Sequence, residues 1–222
     1  MPEVTVLSAF AVKPVLHGRK VTLRPFHDDD LPAIAAAIAD PEVARLTGSV
    51  HTSAEAAGRR PDIDDRLRSW YGSRNSQADR LDLAIIDNDS AACVGEVVLN
   101  DWEPANESGN FRILIGPSGR GRGLGTEATT LVLHYAFTTL SLHRVSLEVY
   151  AFNPRARRVY EKAGFKPEGV RRDAFVFDGE RVDSIVMSAL ATEWTGPIAG
   201  PLDPPRSRLV EDCDRRGGIS IH

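Results

Sequence analysis

Polar and apolar residues alternate in several short stretches of the chain, and such alternation is typical of β-strands buried on one face. The stretch 143–150 is the clearest example, because Val145, Leu147 and Val149 fall on one side. The other strands predicted in this way, including a closing hairpin, are 20–26, 81–86, 92–99, 110–115, 173–177 and 181–190. The strands between 81 and 115 follow one another through short turns, so we expect an antiparallel meander there.

Apolar residues at helical spacing separate these strands. Helices are predicted at 28–40, at 62–71, over a long stretch that begins at Leu124, and at 153–164. The last of these has Asn153 as its N-cap, Pro154 at its first position and Gly164 at its end. Strands and helices in this order predict an α/β fold with a mixed, mostly antiparallel central sheet and helices on both faces.

Composition divides the chain into one domain and a tail. With 42% hydrophobic and 26% charged residues the chain is average for a globular protein, and we predict a single domain at 1–194. From residue 195 the chain is rich in Pro and Gly and has no periodicity. Residues 195–222 are therefore predicted to be a flexible tail, which could dock on a partner subunit of a homodimer. Residues 40–80 are less regular than the rest, and the stretch between the predicted helices 28–40 and 62–71 is polar and broken by Gly and Pro, as in a mobile or substrate-facing segment.

Charge and cysteine content exclude several classes of protein. The net charge of −4 argues against general nucleic-acid binding. Two cysteines and six scattered histidines give neither a disulfide framework nor metal-ligand spacing, so no metal is predicted. The lack of a membrane-span-like run or a signal-like start predicts a cytoplasmic protein with no membrane partner. Residues 119–172 nevertheless hold ten Lys or Arg against four Glu, which suits either a solvated helix face or a local polyanion site.

The stretch GRGRGLG, residues 119–125, joins a predicted strand to the start of the long helix. Free N–H groups and the helix dipole at such a start attract anions, and glycines let a phosphate approach the backbone. A Walker A loop is excluded because no lysine follows Gly125. A dinucleotide fingerprint is excluded because Leu124 stands where its third glycine is needed. The loop therefore predicts an anion site outside both common nucleotide-binding classes.

Four motifs together carry a family resemblance. They are LRPF near the start, GRGRGLGTEA, LEVYAFNPRARRVYEKAGF, and EGVRRDAFVFDGERVDSIVMSAL near the end. In this order, over residues 21–190, the chain resembles the GCN5-related N-acetyltransferase (GNAT) superfamily, and within it the ribosomal-protein-alanine and spermidine acetyltransferase branch. The resemblance implies the GNAT fold, an acyl-CoA co-substrate (usually acetyl-CoA) and a pair of splayed strands, 110–115 and 144–150, with the cofactor between them.

The resemblance also implies roles for individual residues. Strand 110–115 would pair with the pantetheine arm, and the side chain of Asn153 would bond the cofactor. Arg155 and Arg158 would reach the 3′-phosphate, although a solvated helix face explains them equally well. The implied cofactor-binding set is Ile113, Leu114 and Ile115 for the arm, and Arg120, Gly121, Arg122, Gly123, Leu124, Gly125 and Thr126 for the pyrophosphate. The side chains of Arg120 and Arg122 could add positive charge at the loop.

Catalysis of this kind needs a proton donor and a proton acceptor. By resemblance Tyr160 is the general acid near the sulfur, although its helical spacing also suits a core tyrosine. Relatives often carry a glutamate near the start of the strand before the loop, but here that stretch reads GNFRILI and contains no acid. The candidate bases are Glu96 and Asp101, followed by Glu107 and Glu148. Taken singly, Glu96 and Glu148 would ordinarily be strand acids that face solvent.

The predicted activity is direct acyl transfer from acyl-CoA to a primary amine in a ternary complex, because no cysteine is placed as a nucleophile. The acceptor is left open among a protein N-terminus, a polyamine and a small-molecule amine. One alternative is a protein that binds acyl-CoA without turnover, as a sensor. Another is an acetyltransferase that modifies an antibiotic or an aminoacyl-tRNA.

Overall fold

A single eight-stranded sheet organises the computed structural model, which describes residue 10 and residues 12–196. The strands are β1 (Leu16–His17), β2 (Val21–Arg24), β3 (Leu81–Asp87), β4 (Cys93–Glu103), β5 (Ser108–Ile115), β6 (Arg144–Tyr150), β7 (Lys166–Phe177) and β8 (Glu180–Leu190). Their order across the sheet is β1-β2-β3-β4-β5-β6-β8-β7. Only β5 and β6 pair in parallel, which confirms the predicted mixed, mostly antiparallel sheet.

Helices cover both faces of this sheet. They are α1 (Leu31–Ala39), α2 (Pro41–Leu46), α3 (Ser53–Gly58), α4 (Asp65–Arg74), α5 (Leu124–Thr138) and α6 (Pro154–Ala163). The largest apolar core joins α5 and α6 to one face, where Leu83 and Val145 are fully buried. A second core joins α1 and α4 to the other face, where Ala84 is buried. Successive residues of β3 therefore point to opposite faces of the sheet, so that Leu83 packs in one core and Ala84 in the other.

A third apolar cluster closes the second face near the end of β6. It joins α2 and α3 to the β7–β8 hairpin through Phe175 and Phe177. The stretch between the first two predicted helices, expected from sequence to be mobile or substrate-facing, therefore contains two short helices, α2 and α3, that pack against the β7–β8 hairpin. Asp40 and Thr52 begin these two helices, since their side chains accept the N–H groups of Val43 and Glu55.

The closing hairpin differs from its prediction in length. Strand β7 begins at Lys166, seven residues before the predicted start, because its first half is an edge strand whose side chains are exposed on both faces and therefore do not alternate. Most of the predicted tail, residues 197–222, lies outside the described residues, so the domain boundary stays a prediction. None of the described helices is both long enough and apolar enough to cross a membrane.

Candidate active site

A wedge-shaped gap opens between β5 and β6. The two strands pair only from Ser108 to Asn110 on β5 and from Arg144 to Ser146 on β6, and then diverge. Beyond Asn110, β5 keeps its bonds to β4 alone, so its other edge faces the gap as far as Ile115. The predicted splayed pair is confirmed, and the free edge leaves the backbone of residues 113–115 open to a strand-like ligand.

A glycine on β4 helps to set this divergence. A Cβ atom on Gly95 would lie 2.0 Å from the carbonyl oxygen of Leu114, so only glycine allows β5 to approach β4 so closely here. Strand β5 therefore leans toward β4 at the end where it leaves β6.

The glycine loop lies at the mouth of this gap. Gly121 and Gly123 have φ angles of +76° and +82°, a left-handed conformation that favours glycine. The N–H groups of residues 121–126 have no acceptor within the described part of the chain. Six free donors at the positive end of the α5 dipole form an anion-binding surface of the kind expected from the sequence.

Gly125 leaves a space beside these donors. A Cβ atom on it would lie 3.2 Å from Cδ1 of Ile115 and 3.9 Å from Cδ1 of Ile113 on β5. The same atom would lie 4.0 Å from Cγ1 of Val159 on α6. The missing side chain thus keeps the corridor between β5 and α6 open at the level of the free N–H groups.

The side chains of the two loop arginines, Arg120 and Arg122, are already bound in ion pairs with acidic residues. Arg120 donates to Asp40 at 2.7 Å and also binds Glu42. Arg122 donates to both carboxylate oxygens of Asp87, at 2.8 and 3.1 Å. The expectation that both side chains add free positive charge is corrected here, because acids far away in the sequence already neutralise them. Their ion pairs hold the loop in place, and the free donors of the loop are its backbone N–H groups.

The two arginines on the first turns of α6, Arg155 and Arg158, differ in whether an acid neutralises them. Arg155 donates to Glu42 at 3.1 Å, whereas Arg158 is exposed and has no carboxylate within ion-pair distance among the residues described. Of the two predicted 3′-phosphate contacts, Arg158 is therefore the one with a free charge.

One group that holds the glycine loop in place was not identified from the sequence. Glu127, in the first turn of α5, accepts the N–H groups of Lys20 and Val21 at 2.6 and 2.9 Å. The ammonium group of Lys20 in turn donates to the carbonyl oxygen of Arg122 at 2.9 Å. The turn before β2 is thereby tied to the glycine loop, a contact across about a hundred residues that no local pattern marks.

Asn153 begins α6 in the predicted way. Its Oδ1 accepts the N–H of Ala156 at 3.0 Å, Pro154 follows it, and Gly164 ends the helix with a φ angle of +110°. Its amide nitrogen has no acceptor in the described chain, so this group can still donate to a ligand. The helix cap is confirmed, and the cofactor contact of Asn153 stays a prediction.

Tyr160, on α6, lies beneath the narrow end of the gap. Its ring packs edge-on against Phe111 of β5 and against Phe165, with centroids 6.4 and 5.8 Å away. The residue is 7% exposed, and its hydroxyl has no hydrogen-bond partner within residues 12–196. Burial raises the pKa of Tyr160 to about 12, although the charge of Arg112 opposes the shift. The tyrosine is thus both a core residue and a protonated, uncommitted donor.

Glu96 is not the solvent-facing strand acid that its sequence context favours. It lies on β4 opposite Leu114, beside the open part of β5, on the face covered by α1 and α4. It is half-buried, and desolvation raises its pKa, while the hydroxyl of Tyr71 and the charge of Arg112 pull the pKa down. Glu96 therefore combines proximity to the gap with a raised pKa, as a general base would.

The other candidate bases lie elsewhere. Asp101 is exposed and follows Asn100, which pairs with Asn110 at the closed end of the gap. Glu107 is exposed in the turn before β5. Glu148 is bound to Arg171 and also accepts the hydroxyl of Ser184 at 2.9 Å. The fold thus places Glu96, and not Asp101, on β4 next to the part of β5 that has left β6. The register of β4 and β5 sets this difference, and the sequence does not reveal it.

Comparisons with known proteins agree with this geometry. The family model described as "Acetyltransferase (GNAT) domain" matches residues 20–166. The chain is 30% identical over 131 residues to a spermidine N(1)-acetyltransferase of Vibrio cholerae, covering 59% of this chain and 75% of that protein. It is 30% identical over 81 residues to the [ribosomal protein uS5]-alanine N-acetyltransferase of Escherichia coli, covering 36% of this chain and 42% of that protein. The crystal structure of the V. cholerae spermidine N-acetyltransferase in complex with CoA and spermine superposes with a TM-score of 0.67 at 25% identity, over 79% of this chain and 98% of that one.

Proposed function

The chain belongs to the GNAT family of N-acetyltransferases, and from this premise we propose that it transfers an acetyl group from acetyl-CoA to a primary amine by direct attack in a ternary complex. The observation that carries the proposal is the gap between β5 and β6, with free backbone donors at its mouth and the Tyr160 hydroxyl near its narrow end.

The proposed acetyl-CoA site would bind its ligand through backbone groups more than through charged side chains. The N–H groups of residues 121–126 would hold the pyrophosphate, and the free edge of β5 at 113–115 would pair with the pantetheine arm. Asn153 would donate its free amide nitrogen, and Arg158 would meet the 3′-phosphate. Bound in this way, the thioester supplies an activated acyl group with a thiol leaving group.

Two side chains would move the protons. Glu96, on β4 next to the part of β5 that has left β6, would accept a proton from the attacking amine directly or through water, because only the neutral amine is a nucleophile. Tyr160 would donate its proton to the departing sulfur, since burial keeps its hydroxyl protonated. Asp101 stays the second candidate for the base.

The basic excess between 119 and 172 does not favour a tRNA acceptor. Seven of its ten Lys and Arg residues form ion pairs: Arg120, Arg122, Arg144, Arg155, Arg157, Lys166 and Arg171. Four of these pairs use acids outside the segment, and three use its own glutamates. Most of the charge is thus neutralised, which does not favour an extended basic surface for a polyanion. A cytoplasmic location and a homodimer remain predictions.

Mass spectrometry of the purified protein with acetyl-CoA and a mixed amine library tests the proposal, with succinyl-CoA in parallel. We expect an acetylated amine together with free CoA thiol. Gly125→Leu should fill the corridor and weaken CoA binding, whereas Gly72→Ala, at a helical glycine with nothing within 4 Å, should not. A protein that binds CoA tightly but acetylates no amine would instead be an acyl-CoA sensor.

A further inference from the structure

Arg112 lies where the acceptor must approach. It is the second residue of β5 after the last one paired with β6, so it stands at the narrow end of the gap. Its neighbour Phe111 is buried in the α5 and α6 core beneath Tyr160, and alternation therefore places Arg112 on the opposite face. That face also carries Glu96, the diagonal neighbour of Arg112 on β4.

The charge of Arg112 has no partner among the described residues. Its side chain is exposed and has no carboxylate within ion-pair distance among residues 12–196. By contrast, Arg80, Arg120 and Arg171 are neutralised by Asp82, Asp40 and Glu148. A free guanidinium that the fold leaves unpaired next to the reacting centre is typical of a recognition group for an anion.

The charge of Arg112 also reaches both groups proposed for proton transfer. It acts on the carboxyl of Glu96 and on the hydroxyl of Tyr160, lowering the pKa of each. A second cation brought to this place, such as a polyamine, would meet like-charge repulsion. An acidic group on the acceptor would instead find a planar donor fork within reach of its amine.

We propose that Arg112 binds an acidic group of the acceptor, so that the preferred acceptor is an amine with a carboxylate close to the reacting nitrogen, as in an α-amino acid. This inference rests on the proposed acetyltransferase function and selects one class from the small-molecule amines. It separates this chain from the relative whose crystal structure contains spermine.

Initial rates with acetyl-CoA and matched pairs of acceptors test the inference. The pairs are α-amino acids and their carboxamides, which differ in the acidic group, and spermidine serves as a polycationic acceptor. We expect kcat/KM for the acid to exceed that for its amide by about 10- to 100-fold, as for a hydrogen bond to a charged group. Arg112→Gln should bring acid and amide to the same kcat/KM, chiefly through KM for the acid, and Arg112→Lys should restore part of the difference.

Arg68→Gln is the matched control, because Arg68 is an exposed arginine on α4 outside the gap. It should keep the preference for acids. Equal losses in kcat for acid and amide in Arg112→Gln would overturn the inference and make Arg112 an electrostatic support of the reaction. A preference of the unaltered protein for spermidine would also overturn it.

The two levels of proposal fail in different ways. If the unaltered protein binds CoA but acetylates neither acids, amides nor spermidine, and no amine of the mixed library either, the proposed function fails and the inference fails with it. If amines are acetylated without dependence on the carboxylate, the inference alone is wrong.

Discussion

Tyr160 and Glu96 both have raised pKa values, for the same reason and with opposite consequences. Each is removed from water beside the gap, and desolvation favours the neutral form of both. For Tyr160 the result is a hydroxyl that stays protonated up to a pH of about 12 and can donate. For Glu96 it is a carboxyl that ionises above its usual range, so that its conjugate base is stronger than an exposed glutamate.

Tyr160→Phe should separate the two roles of this residue. The ring that packs on Phe111 and Phe165 is kept, so stability and CoA affinity should change little. The proton donor is lost, so kcat should fall by about 10²-fold. Steady-state kinetics with calorimetric CoA binding measures both quantities, and an unaltered kcat would exclude Tyr160 as the general acid.

Glu96→Gln should reduce activity and raise stability at neutral pH. Because the pKa of Glu96 is higher in the folded chain than the ordinary 4.5, the folded state holds the proton more tightly than the unfolded state. Its contribution to the free energy of unfolding therefore falls as the pH rises through 4.5 toward the folded pKa. The neutral amide avoids this loss.

Thermal unfolding of Glu96→Gln and the unaltered protein at about pH 8 and about pH 4 checks the expectation. The variant should melt higher at the upper pH, and the difference should shrink at the lower one. A variant that is less stable at both values would show that Glu96 is held by favourable contacts instead.

At the scale of elements, the mouth of the gap is bridged by the start of α2. One carboxylate oxygen of Glu42 binds Arg120 on the glycine loop, and the other accepts from Arg155 on α6 at 3.1 Å. The loop follows β5 and α6 follows β6, so a single acid joins the two sides of the gap. The phosphates of CoA would compete with Glu42 for the same two guanidinium groups.

Glu42→Gln should therefore tighten CoA binding. Arg155 would become free for phosphate and Arg120 would keep only its pair with Asp40. Because the contacts are partly exposed, we expect only about a two- to fivefold lower Kd. Glu161→Gln, which removes the exposed Arg157–Glu161 pair on α6, is the control and should leave Kd unchanged. Weaker CoA binding in Glu42→Gln would mean that the bridge holds the loop in its binding conformation.

At the scale of the whole molecule, the sheet consists of two halves, β1–β5 and β6–β8, joined by three paired residues on each of β5 and β6. The α5–α6 packing supports this junction on one face. On the other face Ser53 donates to Asp178 at the tip of the β7–β8 hairpin, and the N–H of Asp178 donates to the carbonyl of His51 at 2.9 Å. A ligand that pairs with β5 in the gap would add to a junction that has few backbone bonds of its own.

Acetyl-CoA should consequently raise the melting temperature. At a concentration one hundred times Kd the linkage is worth about 2.7 kcal/mol, or roughly 5–11 °C for a domain of this size. Differential scanning fluorimetry with acetyl-CoA and with adenosine 3′,5′-bisphosphate checks this expectation. A shift that the nucleotide reproduces in full would indicate that the pantetheine arm does not fill the gap.

The features that the sequence determined are those that depend on residues close together along the chain. Strand alternation, the Asn153 cap, Gly164 and the bare glycine loop depend on residues a few positions apart, and the motifs in order identified the family. The motif around Tyr160 also singled it out as the candidate acid, and this role stays a prediction. The predicted start of the closing hairpin was wrong, because an exposed edge strand has no alternation of polar and apolar residues to detect.

The tertiary structure decided which charges are free and which acids are buried. Arg120 and Arg155 meet acids 80 and 113 residues away, so their sequence neighbourhood could not show that they are paired. Glu96 became a candidate base, and Arg112 an unpaired cation, only when β4 and β5 were in register beside the gap. Pairing and desolvation depend on distances in space, whereas a sequence pattern records only distances along the chain.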